Sequence, residues 1–321
     1  MLARPTSCRE GRSPGRRLSL WRWSPLGDRR WSANSDLRKR SAGGEALESC
    51  SVLALACGMN GLRAVRQLAW RGCYEMMAGR LPRPEWAFMN YGFAADPAER
   101  GALRLEPSDE PDRLCIQLYD HVVGASELTG RDVLEVGSGR GGGASYLSRY
   151  RAPRSVTGVE LAHRAVELSR RHRQGPGLRF VQGDAQALPF PDDAFDLVVN
   201  VESSHCYPSV TTFVAEVARV LKPAGSFVYA DFRPAVEVPH LLAGLSEGPL
   251  VLKSSEDITT NVLEALRADS DRKSELIDTI VPRLFRRPFR RFAGIRTSST
   301  FDRFETGELR YLCAHLVAPA S

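Results

Sequence analysis

The stretch Val133-Leu134-Glu135-Val136-Gly137-Ser138-Gly139-Arg140-Gly141-Gly142-Gly143 decides how this 321-residue chain is read. Val133, Leu134 and Val136 predict a buried strand over 132–136, the glycines end it abruptly, and a helix is expected from Ala144 to Arg149. Glycine lets a backbone turn sharply and come close to a ligand, and a helix start presents unpaired N–H groups to an anionic group. The loop alone is ambiguous. Gly137, Gly139 and Gly142 also satisfy the spacing of dinucleotide-binding proteins, in which an acid about 20 residues later, here Glu160, is expected to bind ribose.

Outward from the loop, strands are expected near 155–159, 178–182, 195–201 and 225–231, with helices between most of them. Such alternation with short connections predicts an α/β fold built on a mostly parallel, doubly wound sheet. Glu160 ends the strand Ser155–Val159, and Gly183-Asp184-Ala185 ends the next. Leu188-Pro-Phe-Pro-Asp-Asp-Ala-Phe-Asp196 leads into the fourth strand, and Val220-Leu-Lys-Pro-Ala-Gly225 reads as a helix end turning into the fifth.

This ordered series resembles the class I S-adenosylmethionine-dependent methyltransferases, in the small-molecule branch with ubiquinone, sterol and polyketide methyltransferases. The resemblance covers about residues 130–232. It implies a Rossmann-like seven-stranded sheet with helices on both faces and an antiparallel C-terminal strand. It also implies that Glu135, Gly137, Ser138 and Gly139 line the methionine end of S-adenosylmethionine, with Gly141 in the same loop. Glu160, with Leu161 beside it, would hold the ribose; Asp184 and the Ala185 N–H would meet adenine, and Asn200 would lie beneath the cofactor.

Asn200-Val-Glu-Ser-Ser-His-Cys-Tyr-Pro208 follows the fourth strand at the carboxyl edge of the sheet, where open α/β folds bind ligands. His205 is the candidate general base, because imidazole titrates near physiological pH. Asp231 ends the fifth strand, where it can orient the imidazole and stabilise its charged form. Glu-x-x-His and Ala-Asp-Phe are similar to the arrangement in sugar O-methyltransferases, in which the matching His and Asp serve as base and partner. From about Glu85 onward, Asn-Val-Glu-Ser-Ser-His-Cys-Tyr-Pro, Asp231-Phe-Arg233 and the tail Phe292–Tyr311 resemble the bacterial phthiotriolone and phenolphthiotriolone dimycocerosate O-methyltransferase group. That resemblance implies a hydroxyl acceptor on a lipid-like or polyketide-like molecule. C-methylation of a prenyl-like acceptor, with Glu202 steadying a cation, is the second reading, and a silent binding protein is the third. Tyr91, Phe93 and helices over 235–285 are expected to cover the pocket.

The formal net charge of +6 is local. Residues 1–50 hold 11 of the 44 Lys and Arg but 5 of the 38 Asp and Glu, so the rest is balanced and predicts no nucleic-acid partner. Seven dispersed cysteines without a CxxC pair predict free thiols, no metal site and a cytoplasmic protein. Residues 1–58 read as a disordered Arg- and Ser-rich extension; a mitochondrial presequence is the alternative. Residues 59–125 read as a helical lid segment, and 126–321 as the catalytic domain with a helical cap. An apolar stripe over 59–81 suits either core packing or peripheral membrane contact. After residue 232 the pattern loosens, then gives a charged helix near 255–281 and two last strands around a short helix at 301–307.

Overall fold

The computed structural model describes residues 72, 75–79, 83, 85–96, 103–124, 126–246 and 248–320. The extension 1–58 lies outside them, as does most of the stripe from Met59, of which 75–79 are helical.

A helix α1 (Arg113–Val123), preceded by a single 3₁₀ turn, leads into β1 (Asp132–Val136) and α2 (Gly142–Tyr150). The alternation continues through β2 (Ser155–Glu160), α3 (His163–His172), β3 (Leu178–Gln182), β4 (Phe195–Val201) and α4 (Val210–Val220) to β5 (Leu221–Pro234). Then come α5 (Val238–Ser246), β6 (Val251–Asp257), α6 (Thr259–Ile280), α7 (Arg283–Phe292), α8 (Ser299–Glu305) and β7 (Leu309–Val317).

The seven strands form one sheet in the order β3-β2-β1-β4-β5-β7-β6. β1 to β5 pair in parallel, and β7 runs antiparallel to both β5 and β6. The sheet therefore has the expected Rossmann-like methyltransferase form, with its one reversed strand last in sequence. Order along the sheet reverses beside β1 and β4, so their carboxyl ends open a crevice between oppositely directed crossovers.

Successive residues along a strand point to opposite faces. Val133, Val156, Leu197, Val199, Val228 and Ala230 pack with α1, α2 and α6 on one face. Leu134, Val136, Val159, Val198, Phe227 and Tyr229 pack with α4 and α5 on the other. Near-continuous apolar strands result, as a sheet covered on both faces requires.

Two expectations need correction. The strand expected before the short helix near the end does not form; α8 begins at Ser299 and only β7 follows it. The missing strand is β6, in the segment read as loose and as the start of the charged helix. Val251–Asp257 is an edge strand with mostly exposed side chains, so nothing forces its residues to alternate in hydrophobicity. The charged helix starts after it, at Thr259.

Candidate active site

The glycine loop bends from β1 into α2, and a cavity of about 910 Å³ opens over it. A concave cleft of this kind is where small molecules and cofactors bind. Its wall includes Gly137, Ser138, Gly139, Glu160, Leu161, Asp184 and Ala185, which brings together the residues expected to hold the cofactor from the ends of β1, β2 and β3. Gly137 has φ of 75°, and a Cβ there would run into Ser203 and stand 2.9 Å from the Tyr207 hydroxyl. Only glycine suits both demands. Gly143 is required for space: a Cβ would collide with the Tyr119 ring and a Glu135 oxygen. Gly141 lies in the same loop as the N-cap of α2 but is not on the cavity wall.

Glu160 braces the loop. Its Oε2 accepts the Gly139 N–H at 3.1 Å and its Oε1 the Ala162 N–H at 2.9 Å, while burial raises its pKa in spite of these bonds. Asp184 Oδ1 accepts the Gln186 N–H at 2.9 Å, forming a small turn at the far wall.

Glu135 and Asn200 stand one layer behind the wall. Glu135 Oε1 accepts from the Tyr119 hydroxyl at 2.6 Å, and both Tyr119 and Gly143, its neighbours, line the cavity. Burial pushes the Glu135 carboxyl up to about 7, with the Tyr119 hydrogen bond opposing. Its Oε2 is buried with no hydrogen-bond partner among the described residues. A buried acceptor that lacks a donor carries an energetic cost, and the amine of a bound S-adenosylmethionine is a fitting donor. Asn200 donates through Nδ2 to the Val136 carbonyl at 2.9 Å and to Ser203 Oγ at 2.6 Å; Ser203 in turn pairs with the Tyr207 hydroxyl at 2.9 Å. Asn200 thus positions the two hydroxyl side chains that occupy the wall in its place.

On the acceptor side, His205 Nδ1 pairs with Asp231 Oδ1 at 2.8 Å, and the His205 backbone N–H donates to Oδ2 at 2.8 Å. Asp231 is fully buried and also accepts from the Ser204 hydroxyl at 2.6 Å and from its neighbour's N–H, Phe232, at 2.8 Å. Burial alone would raise this carboxyl. The His205 and Arg233 charges and the donated hydrogen bonds outweigh it, and hold the group well below the usual carboxylate range. Arg233 lies 3.2 Å from Oδ2 and donates to Ser204 Oγ at 2.8 Å, which closes the network. The His205 ring packs against Phe232, with centroids 4.6 Å apart.

The pairing expected between neighbouring strand ends is therefore present, yet His205 faces an adjoining polar cavity. Tyr207 is common to its wall and to that of the glycine-loop cavity, and His240, Glu237 and Arg233 complete it. Glu202 is the carboxylate of this loop that lines the glycine-loop cavity, beside Cys206 and Tyr207. Its backbone is left-handed, φ 46°, and its Oε1 accepts the Tyr91 N–H at 2.7 Å and the Tyr311 hydroxyl at 2.9 Å. Burial pushes its pKa up to about 8.

The segment expected to cover the pocket contributes other residues than anticipated. Ala87, Phe88, Met89 and Asn90 line the glycine-loop cavity, whereas Phe93 is packed on His121 at 4.1 Å. Tyr91 instead lines a second, apolar cavity of about 400 Å³, which shares Phe88, Met89 and Asn90 with the first and is closed by Trp86, Ile277, Ile280 and Phe292. Tyr119, Ser203 and Tyr207 were not anticipated from sequence. The only signal for the latter two was their spacing of three and seven residues from Asn200. Among the described residues no three His, Cys, Asp or Glu side chains are grouped to hold a metal ion.

Residues 134–229 match the methyltransferase domain family. The phthiotriol/phenolphthiotriol dimycocerosates methyltransferase of Mycobacterium tuberculosis strain H37Rv is 41% identical over 261 residues, covering 81% of this chain and 94% of the relative. The fatty-acid O-methyltransferase of Mycolicibacterium smegmatis is 40% identical over 256 residues, covering 80% and 92%. Among solved structures, the [4+2]-cyclase SpnF superposes with a TM-score of 0.59 at 19% identity, covering 79% of this chain and 96% of that one. The geranyl diphosphate C-methyltransferase of Streptomyces coelicolor, solved with S-adenosyl-L-homocysteine, gives 0.53 at 18% identity, covering 76% and 97%. At such identities the two structures speak for the fold alone. The loop, the braced acid and the unmet Glu135 oxygen suit S-adenosylmethionine as cofactor, and relatives of 40–41% identity match along most of their length: the chain belongs to the class I S-adenosylmethionine-dependent methyltransferases, in the family of the phthiotriol/phenolphthiotriol dimycocerosates methyltransferases.

Proposed function

We propose that this methyltransferase acts on a hydroxyl of a lipid-like or polyketide-like small molecule, with His205 as the general base. The observation that carries the reading is the doubly held His205–Asp231 pair. A carboxylate on Nδ1 fixes the imidazole in one orientation and stabilises its protonated form, so proton transfer falls to Nε2. When bound, S-adenosylmethionine supplies a methyl group already activated on a sulfonium. The remaining tasks are to align an oxygen in line with it and to take one proton. Tyr207, common to both cavities, is where the base and the cofactor site meet. The apolar cavity beside Phe88 and Met89 suits a hydrocarbon chain, and the names of the relatives point to lipid acceptors.

His205→Ala is the test. Turnover should fall by about two to four orders of magnitude while calorimetry shows S-adenosylmethionine binding unchanged; full turnover would sink the mechanism.

A second reading has its own observation. Glu202, not His205, lines the glycine-loop cavity, as a group that steadies a carbocation would in C-methylation of a prenyl-like acceptor. Mass spectrometry that maps the new methyl to carbon or oxygen separates the two.

A further inference from the structure

Between Asp278 and Asp302 the chain carries six arginines and no acidic residue. Five of the six are in α7, Arg283-Leu-Phe-Arg-Arg-Pro-Phe-Arg-Arg-Phe292. The helix has two dissimilar faces. Phe285, Phe289 and Phe292 turn inward at helical spacing; Phe289 packs with Met77, Ile277 and Val281, and its ring lies 5.7 Å from that of Trp86. Arg286 and Arg290 lie on the flank and share the one carboxylate of Asp278.

The outer face is different. Arg283, Arg287 and Arg291 recur every four residues, all are exposed, and none has an ion pair with a described residue. Leu284 stands among them and is 61% exposed. Three cations around an outward leucine are the makings of a helix that lies in a membrane interface, with the cations at anionic headgroups and the apolar side chain below them. A nucleic-acid partner would use the arginines but leave Leu284 in water. The position in the fold supports the same partner. Phe292 and Ala293, at the end of this helix, line the apolar cavity that adjoins the glycine-loop cavity.

We propose that the Arg283–Leu284–Arg287–Arg291 face of α7 docks this enzyme on an anionic lipid bilayer, which sets the apolar cavity beside the source of a membrane-borne acceptor. The recruiting chemistry is a negatively charged lipid surface, and no transmembrane segment is required. Among the described residues no helix is long and apolar enough to cross a membrane.

Flotation of the full chain with vesicles tests this, using phosphatidylcholine alone against an equimolar mixture with phosphatidylglycerol, at low and at raised salt. The protein should float with the anionic vesicles only, and salt should release it. Arg287→Gln combined with Arg291→Gln should weaken partitioning about thirty-fold, roughly five-fold for each cation removed. Leu284→Ser should weaken it several-fold, and calorimetry should show S-adenosylmethionine binding unchanged in both. If charge removal costs cofactor binding, Arg283→Gln with Arg287→Gln takes its place with the same expectation. The proposal is overturned if wild type ignores anionic vesicles or binds neutral ones equally, or if the arginine variants float as wild type does, which would assign binding to another basic segment. It also fails if an RNA or DNA oligonucleotide binds through these arginines while Leu284→Ser changes nothing.

Discussion

His205 and Asp231 are joined at two points, ring Nδ1 to Oδ1 and backbone N–H to Oδ2, both at 2.8 Å. The loop after β4 is thereby tied to the end of β5 through one carboxylate, which also holds Ser204 and Arg233. Asp231→Asn should keep the packing but place an amide donor against one of these N–H groups. Turnover should fall by about a hundredfold, with the larger part of the loss in kcat. A change confined to KM would argue that the pair only shapes the pocket.

Gly143→Ala tests the closeness of the loop to its support. The added methyl meets Tyr119 and Glu135 together, inside a packed region. A cost of about 1–3 kcal/mol in unfolding free energy is expected, together with loss of S-adenosylmethionine binding by calorimetry. An unchanged Kd would remove Glu135 from the cofactor site.

Glu160 holds two backbone N–H groups on separate oxygens. In Glu160→Gln one of them faces an amide donor, and the lost charge-assisted bond corresponds to about 1.5–3 kcal/mol. The Kd for S-adenosylmethionine should rise at least tenfold, and the helix content measured by circular dichroism should stay the same.

Glu202 gives a pH signature. Burial raises its pKa from an ordinary value of 4.5 to about 8, so the folded protein holds a proton that the unfolded chain releases. Stability is therefore fully present below pH 4.5 and is lost as pH rises toward 8. Part of the carboxyl faces the cavity, so the loss should be roughly 2–3 kcal/mol. Urea unfolding of Glu202→Gln between pH 5 and pH 8 should show a flatter profile than wild type. Parallel profiles would mean that the carboxylate is solvated when folded.

What could be read from sequence followed burial. β1, β2 and β4 were legible because strands covered on both faces are apolar along most of their length, and because a glycine or acid follows or ends each one. β6 was not, since Lys253, Ser254, Glu256 and Asp257 satisfy an edge that presents them to solvent. In the site, Glu160, Asp184 and Ala185 were legible from their places at strand ends. Asn200 lies beneath the cavity wall, where it holds Ser203 and Tyr207, a bracing that the sequence does not display. The depth of Glu202 was not legible, since its burial comes from Tyr91 and Tyr311, which lie 111 and 109 residues away.

The reversed strand β7 has a consequence for how the chain is made. It lies between β5 and β6, so two strands synthesised earlier wait for the last one before either has its neighbour. Until residues 309–317 emerge, the open edge of β5, which includes buried Phe227, Tyr229 and Asp231, stays exposed to pairing with other chains. A chain halted short of Leu309 should therefore be prone to aggregate through that edge, although β4 and β5 already pair with each other.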